Sequence, residues 1–390
     1  MKFRKAPNVA TAIDLLHSMA NKKPSCGPLK VTKPLALYGA GDLGKMANEY
    51  FRKLGISINY VVDVHADTHR NNQFWQGVSI VFPEEISDYQ RKHDLLAICI
   101  VTTPYASLTE LLSRQGWKHI VPFYDISEAY RDRHPLGNGW FADSLTQADF
   151  ENISVILTRW MDDISRAHYL QFIAWRLFRE EWLFGDALIS IKDRFFIPEI
   201  IECLTEQEFF ADVGAYHGNV SLRFLKEAGN RLKYLWAIEP DPHSLKQLRA
   251  VFSKLDAETQ QKIQIIPAAV GCTKSLQRFY TGLGYASQFS ELGQDLVKVE
   301  TIDQLGILPT FLKLHLEGAE LDALMGAKET IHRCRPVIVV TTYHNQDGLW
   351  KIPKWLMENL DNYHFSMRLH SWCGTGSVIY CIPEERGGNR

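Results

Sequence analysis

An apolar strand that runs into an acid and two glycines is the strongest fold signal in the chain: Phe209-Phe210-Ala211-Asp212-Val213-Gly214-Ala215-Tyr216-His217-Gly218-Asn219. Glycine has no Cβ, so a chain can turn sharply there and its backbone can approach a ligand. A second strand, Leu235-Trp236-Ala237-Ile238, delivers Glu239, and Pro240 stops it. A carboxylate at that strand end can accept hydrogen bonds from both hydroxyls of a ribose. The separation of the two pieces suits one βαβ unit. The glycines at Gly214 and Gly218 make a GxxxG pattern and lack the third glycine of a dinucleotide fingerprint. That favours S-adenosylmethionine, which has no pyrophosphate to seat.

Alternation continues beyond this unit. Strands are expected to end near Asp212, Glu239, Ala268, Glu317 and Tyr343, which predicts a parallel, doubly wound α/β sheet. Tyr363–Met367 and Val378–Pro383 are expected to close it as an antiparallel pair. Ligands in such sheets sit outside the carboxyl ends of the strands. Asp212, Gly214, Ala215, Tyr216, Gly218, Glu239, Pro240 and Ala269 are therefore the candidate cofactor-binding residues. Gly214 to Gly218 would admit the methionine part, Asp212 would meet its amino group directly or through water, Glu239 would hold the ribose, and Ala269 with Val270 would pack near the adenine.

These motifs resemble the FkbM-type S-adenosylmethionine-dependent methyltransferases. The family's glycine turn commonly reads DVGAxxG and its second strand commonly ends EPxP; this chain has DVGAYHG and EPDP. Phe311 to Glu320, FLKLHLEGAE, is similar to the family's IKxDxEGAE signature, with His315 standing where the family usually has aspartate. Thr342 to Pro353, TYHNQDGLWKIP, is similar to a segment of one branch in which a YH pair precedes an acidic turn and DLWxIP. The resemblance spans about 180 to 200 residues, with four motifs in order. It implies a class I methyltransferase sheet, S-adenosylmethionine as cofactor, and O-methylation of a small-molecule acceptor: a sugar, a glycan precursor or a secondary-metabolite hydroxyl. The departure at His315 leaves open a second reading, a binding protein whose methyltransferase unit has lost catalysis.

Methyl transfer displaces a sulfonium, so the protein mainly aligns the acceptor, and an alcohol acceptor also needs a base. His315, Glu317 and His344 follow predicted strand ends on the ligand-facing edge. Histidine titrates near pH 6.5 and suits proton transfer. His344 is the first candidate base and His315 the second, while Glu317 is expected to orient its loop through backbone amides. Together with Asp347 these groups match no specific metal spacing, so no metal ligands are assigned. Phe195 and Phe196, just before the first strand, are candidates to cover the cofactor, and Tyr285 to Ser290 reads as an acceptor-specificity loop.

With 390 residues the chain exceeds one ordinary core, so at least two domains are expected. Pro34 to Tyr38 is a short strand entering Gly39-Ala40-Gly41-Asp42-Leu43-Gly44, and Ile58 to Val62 delivers Asp63. This is a GxGxxG in strand-to-helix context. Gly39, Gly41, Gly44 and Asp63 are candidates for an N-terminal nucleotide site. Their spacing permits NAD, and an NAD-dependent oxidoreductase is the remaining alternative, although Asp42 adds negative charge beside any pyrophosphate. The turn, the DVHAD segment and Gly77 to Ile80 also resemble the nucleotide-sugar-binding units of sugar-modifying enzymes. Further strands at Leu95–Val101 and His119–Pro122 complete a Rossmann-like unit. The expected division is an N-terminal helical extension at 1–29, the Rossmann-like unit at 30–128, a helical connector at 129–205 and the methyltransferase unit at 206–385, with a frayed tail from Gly387.

The composition, 46% hydrophobic and 23% charged, is that of a soluble globular protein. A net charge of −2 offers no footprint for nucleic acid. Seven cysteines with no CxxC pair fit buried thiols in a reducing cytoplasm. The apolar runs fall short of the roughly 20 residues that span a bilayer, so no membrane partner is expected. A homo-oligomer is compatible with the sequence.

Overall fold

The computed structural model describes residues 1–390 except 21, 24–25, 137–140 and 388–390, so the last three residues of the expected tail lie outside the described residues. A short first strand, β1 (Lys2–Phe3), precedes an N-terminal sheet of β2 (Leu35–Tyr38), β3 (Ile58–Val62), β4 (Ile80–Val81), β5 (Leu95–Ile98) and β6 (His119–Pro122). This sheet is parallel in the order β4-β3-β2-β5-β6. The helix Asp42–Leu54 that follows β2 buries Ala47, Tyr50, Phe51 and Leu54, a spacing of three and four that puts them on one face, and it stops at Gly55 with φ +70°.

After β7 (Leu183–Phe184) come β8 (Glu208–Val213), β9 (Leu232–Ile238) and β10 (Ile263–Ile266), then β11 (Ala269–Val270), β12 (Ser275–Tyr280), β13 (Gln288–Phe289) and β14 (Asp295–Glu300), and finally β15 (Phe311–Leu314), β16 (Val337–Thr341), β17 (Tyr363–Leu369) and β18 (Ser377–Pro383). The main sheet has seven strands in the order β10-β9-β8-β15-β16-β18-β17. Its first five strands are parallel, and β17 and β18 form the expected antiparallel closing pair. The strand order reverses direction at β8 and β15, the switch point at which a doubly wound sheet opens a crevice at its carboxyl edge.

Two expectations change. The stretch after β10 is a second sheet, in the order β11-β14-β12-β13, and the expected loop at 285–290 is the tip of that sheet. Ser275–Tyr280 and Asp295–Glu300 alternate in sequence but bury only one or two residues each, so their strand signal is that of a solvated ribbon. Packing also crosses the bounds of the expected four-part division. Helix Val9–Ala20, with Ala12, Leu16 and Met19, shares one apolar core with Ile153, Leu157, Tyr169 and Ile173 of the connector and with Val213, Leu314 and Val340 of the main sheet. The first strand β1 pairs in parallel with β7. The N-terminal extension and the connector are thus parts of the body built on the main sheet. Connector helix Asp163–Phe178, capped by Asp162 Oδ1 accepting Ser165 N–H at 2.6 Å, is buried on nearly every face, as a helix inside a core must be. Among the described residues no helix is long and apolar enough to cross a membrane.

Candidate functional site

The glycine turn after β8 is shaped by close approach. Gly214 has φ +78°, and a Cβ there would lie 1.9 Å from the His315 carbonyl oxygen, so only glycine lets β8 and the end of β15 meet. Gly214 and Ala215 N–H donate to Ile238 O at 2.9 and 3.0 Å, tying the turn to β9. Glu239 then receives Tyr216 N–H on Oε2 at 2.8 Å and Asp241 N–H on Oε1 at 2.9 Å. Burial pushes its carboxyl up to about 7, against the pull of the two amides. Asp241 caps the next helix and also accepts Ser287 Oγ–H at 2.6 Å and Gly282 N–H at 3.1 Å, which fastens the small sheet over the strand ends.

These elements enclose a cavity of about 300 Å³. Of the expected cofactor residues, Gly214, Ala215, Tyr216, Glu239, Pro240 and Ala269 line it. Phe195 lines it as well, and Phe196 packs into the neighbouring core. Asp212 and Gly218, expected with them, do not line it. Asp212 is fully buried, its carboxylate taken by Lys313 Nζ at 2.8 Å and Ser221 Oγ at 2.7 Å, and the cavity wall is formed by Lys313 in its place. Gly218 also stays behind the wall: its φ of +84° starts helix Asn219–Ala228, and a Cβ would stand 2.8 Å from Leu248 Cδ1. Lys313 escaped notice although it is a lone cation in the apolar run Phe311 to Leu314, and the β8–β15 register sets it beside Asp212. It also donates to Gly214 O at 2.7 Å, so one ammonium braces the turn and faces the cavity.

A second cavity of about 260 Å³ adjoins the first. Tyr285, His315 and Glu317 border both. Its other walls come from distant segments: Leu43 and Met46 of the N-terminal unit, Tyr124, Arg194, Tyr343 and Thr375. No local motif announces such residues; only the packed body brings them together.

At the junction, Glu317 Oε1 stands 3.2 Å from Nε2 of both His315 and His344. The two imidazoles stack, with centroids 5.0 Å apart and planes 15° from parallel. Glu320 Oε1 lies 2.6 Å from His344 Nδ1, and the same carboxylate accepts Leu316 N–H, Gly318 N–H and Thr341 Oγ1–H, each at 2.9 Å. Glu317 is a non-glycine residue at φ +50°, a conformation that costs energy and turns its carboxylate toward the histidines. Tyr343 Oη is 3.2 Å from His315 Nε2 and accepts Arg194 Nη1–H at 3.0 Å.

The charges follow from these contacts. Burial drives His315 down to about 4, outweighing the help of Glu317, so its imidazole is neutral. Burial opposes charge on Glu317 too, but His344 and His315 beside it hold its carboxyl near 2. Burial would likewise discharge His344, yet the carboxylates of Glu317 and Glu320 hold it well above the ordinary histidine range. His344, expected to be the first base, is therefore a poor proton acceptor at neutral pH. Glu317 and His315 do reach the ligand-facing edge, while Asp347 turns away to Lys351 at 2.7 Å.

The N-terminal turn has the same architecture and other neighbours. Asp63 Oδ2 accepts Ala40 N–H and Oδ1 accepts His65 N–H, both at 2.7 Å. Gly44 lets the helix approach the turn, since its Cβ would lie 2.0 Å from Gly39 O, whereas Gly41 has nothing within 4 Å. Gly39, Gly41, Gly44 and Asp63 border neither of the two cavities above.

Comparison with known proteins places this geometry. A family model described as the methyltransferase FkbM domain matches residues 212–368. Among solved structures the chain is similar to the methyltransferase FkbM from Methylobacillus flagellatus KT, at 17% identity and TM-score 0.64 over 96% of this chain and 98% of that one. It is also matched to precorrin-6y C5,15-methyltransferase from Geobacter metallireducens GS-15, at 16% identity over 51% of this chain and 95% of that one, with a TM-score of 0.30 too low to carry an argument. No curated protein matches the chain. The first likeness bears on the fold alone, and the family match covers the glycine turn, both cavities' shared residues and the His344 segment: residues 212–368 match the methyltransferase FkbM domain.

Proposed function

We propose that the protein is an S-adenosylmethionine-dependent O-methyltransferase acting on a small hydroxylated acceptor, in the class of sugars, glycan precursors and secondary metabolites. The observation that carries this reading is the pair of adjoining cavities that share His315, Glu317 and Tyr285. The first has the features a nucleoside sulfonium needs: a glycine turn for the methionine backbone, Glu239 for the ribose, and apolar Ala269 and Val270 for the adenine. The second would hold the acceptor, with its hydroxyl presented at the shared wall.

In the reaction the acceptor oxygen attacks the methyl carbon. The new C–O bond forms as the C–S bond breaks, S-adenosylhomocysteine leaves, and the hydroxyl proton must be given up. Positioning contributes most of such a rate enhancement, because the reacting atoms need only be aligned about 3 Å apart. Of the titratable groups at the shared wall, His315 and Glu317 are the ones this step can draw on, because burial pushes the Tyr285 phenol up and keeps it protonated.

Calorimetric titration of the purified protein with S-adenosylhomocysteine is expected to give one site per chain, with Glu239→Ala weakening it at least tenfold. Tight binding of NAD with no binding of either sulfur compound would overturn the reading.

A further inference from the structure

We propose that His315, Glu317 and His344 form a binding site for one divalent transition-metal ion at the wall between the two cavities, and that the ion's open positions receive the acceptor. The inference rests on the acceptor occupying the second cavity, as proposed above.

Three donor atoms converge there, two imidazole Nε2 and one carboxylate oxygen, all within 4.8 Å of one another. Glu317 Oε1 is 3.2 Å from each nitrogen. Ligands about 2.0 to 2.2 Å from a common ion are separated by roughly 2.8 to 3.6 Å at right to tetrahedral angles, so both edges already have the required length. A second observation is independent of the cluster's composition. His344 Nε2 is buried and, despite the nearby carboxylate, has no well-directed hydrogen bond among the described residues. Its other nitrogen is fixed, because Glu320 Oε1 takes the Nδ1 side at 2.6 Å and is itself held by Leu316 N–H and Thr341 Oγ1–H, with Gly318 N–H on Oε2. That is how a metal-ligating histidine is ordinarily oriented, with the second nitrogen aimed at the ion, which takes the place of the proton that Glu317 and Glu320 otherwise hold on this imidazole and releases it to water. An unfilled hydrogen-bonding atom in a buried site costs free energy that a ligand recovers.

The donor set selects the ion. Two imidazoles and one carboxylate suit zinc, manganese, iron(II) or cobalt, while magnesium and calcium prefer oxygen-only shells. Tyr343 Oη, 3.2 Å from His315 Nε2, is the group the ion displaces. His315 and Glu317 border both cavities, so the unfilled positions point to where donor and acceptor meet. An ion there lowers the pKa of a bound hydroxyl, whose proton passes to water before the oxygen attacks the sulfonium methyl. Acceptors with two adjacent oxygens, such as a vicinal diol or an α-hydroxy carbonyl, would chelate and be favoured.

The test uses the full chain, freed of metal by chelator and titrated with cobalt(II) by calorimetry and visible absorption. One ion per chain with d–d bands is expected, weakened at least tenfold in Glu317→Gln and His344→Asn and 10- to 100-fold in Glu320→Gln, whose residue touches no ion but positions His344 and the amides flanking Glu317. His315→Asp exchanges one ligand for another and is expected to keep binding with a shifted spectrum, while His315→Leu loses it. Circular dichroism and S-adenosylhomocysteine titration of each variant separate lost ligands from lost fold. No stoichiometric binding in the unmodified protein, or equal binding in properly folded Glu317→Gln and His315→Leu, overturns the inference. A protein that binds the sulfur cofactor and no cobalt fails this proposal alone; one that binds cobalt and neither sulfur compound fails the functional reading alone.

Discussion

Glu239 shows how much of the site turns on single ionisations. Its carboxyl is raised by burial from an ordinary 4.5 to about 7, so it is protonated below neutral pH and ionised above it. The sign follows from the direction: this residue's contribution to stability is fully present below about 4.5 and is lost as pH rises through about 7. Cofactor binding has the opposite trend, because ribose hydroxyls donate to an ionised carboxylate. Affinity for S-adenosylhomocysteine is therefore expected to rise about tenfold between pH 6 and pH 8 and then level off. Calorimetry across that range checks it, and Glu239→Gln is expected to remove the pH dependence; an equal slope in the variant would assign the titration elsewhere. Glu239 was legible in the sequence because a strand ending in an acid and a proline is a local pattern. The charge on His344 was not, since it depends on Glu317 and Glu320 reaching it across a loop, and neither was the role of Asp212, which looks like a ligand in sequence and is neutralised by Lys313 in space.

The two glycine turns make the same lesson testable for elements. From sequence the N-terminal GxGxxG is the fuller motif, yet the turn after β8 carries the tighter constraint. Gly214→Ala forces a side chain to φ +78° and to 1.9 Å from the His315 carbonyl oxygen, so it is expected to cost about 3 kcal/mol or more and to abolish cofactor binding. Gly41→Ala meets open space at φ −71° and is expected to cost no more than about 1 kcal/mol, the difference between glycine and alanine at a helix N-cap. Urea unfolding of both variants, with cofactor titration, is the measurement; similar losses in the two would show that backbone approach is not what selects glycine at 214. Strands buried on both faces, such as β2, β8 and β16, were read correctly because continuous apolar runs bounded by turns are distinctive. The small sheet of β11 to β14 was missed because its strands are short and mostly solvated, while its tip, with Tyr285 and Ser287, closes the first cavity.

At the scale of the whole molecule, the resemblance and the family match both fall on the C-terminal half, and the packing does not respect that limit. Helices Val9–Ala20, Gln147–Arg159 and Asp163–Phe178 fill one face of the main sheet. From the last of these, Arg176, fully buried, donates Nη1–H to the carbonyl of Tyr343, a residue that lines the second cavity, at 2.6 Å. The connector also binds the N-terminal unit through Arg179 and Asp125, an ion pair of 2.9 Å with both side chains nearly buried. A fragment of residues 206–385 would therefore expose Leu314, Val340 and Ile379 to water, each apolar side chain forfeiting roughly 1.5 to 3 kcal/mol of burial. Such losses exceed the 5 to 15 kcal/mol that holds an ordinary domain folded once a handful of side chains are uncovered. The fragment is expected to elute as aggregate and to bind no S-adenosylhomocysteine, and the full chain to unfold the connector and the main sheet in a single calorimetric transition. A monomeric fragment with native cofactor affinity would show that the methyltransferase unit stands alone and that the shared core is a docking contact. Removing only residues 30–120 is the sharper counterpart, because the first cavity, proposed for the cofactor, takes no wall from them while the second, proposed for the acceptor, takes Leu43, Met46 and Val101. Cofactor binding that survives this deletion while turnover is lost would assign the N-terminal unit its part in the reaction: a wall for the acceptor.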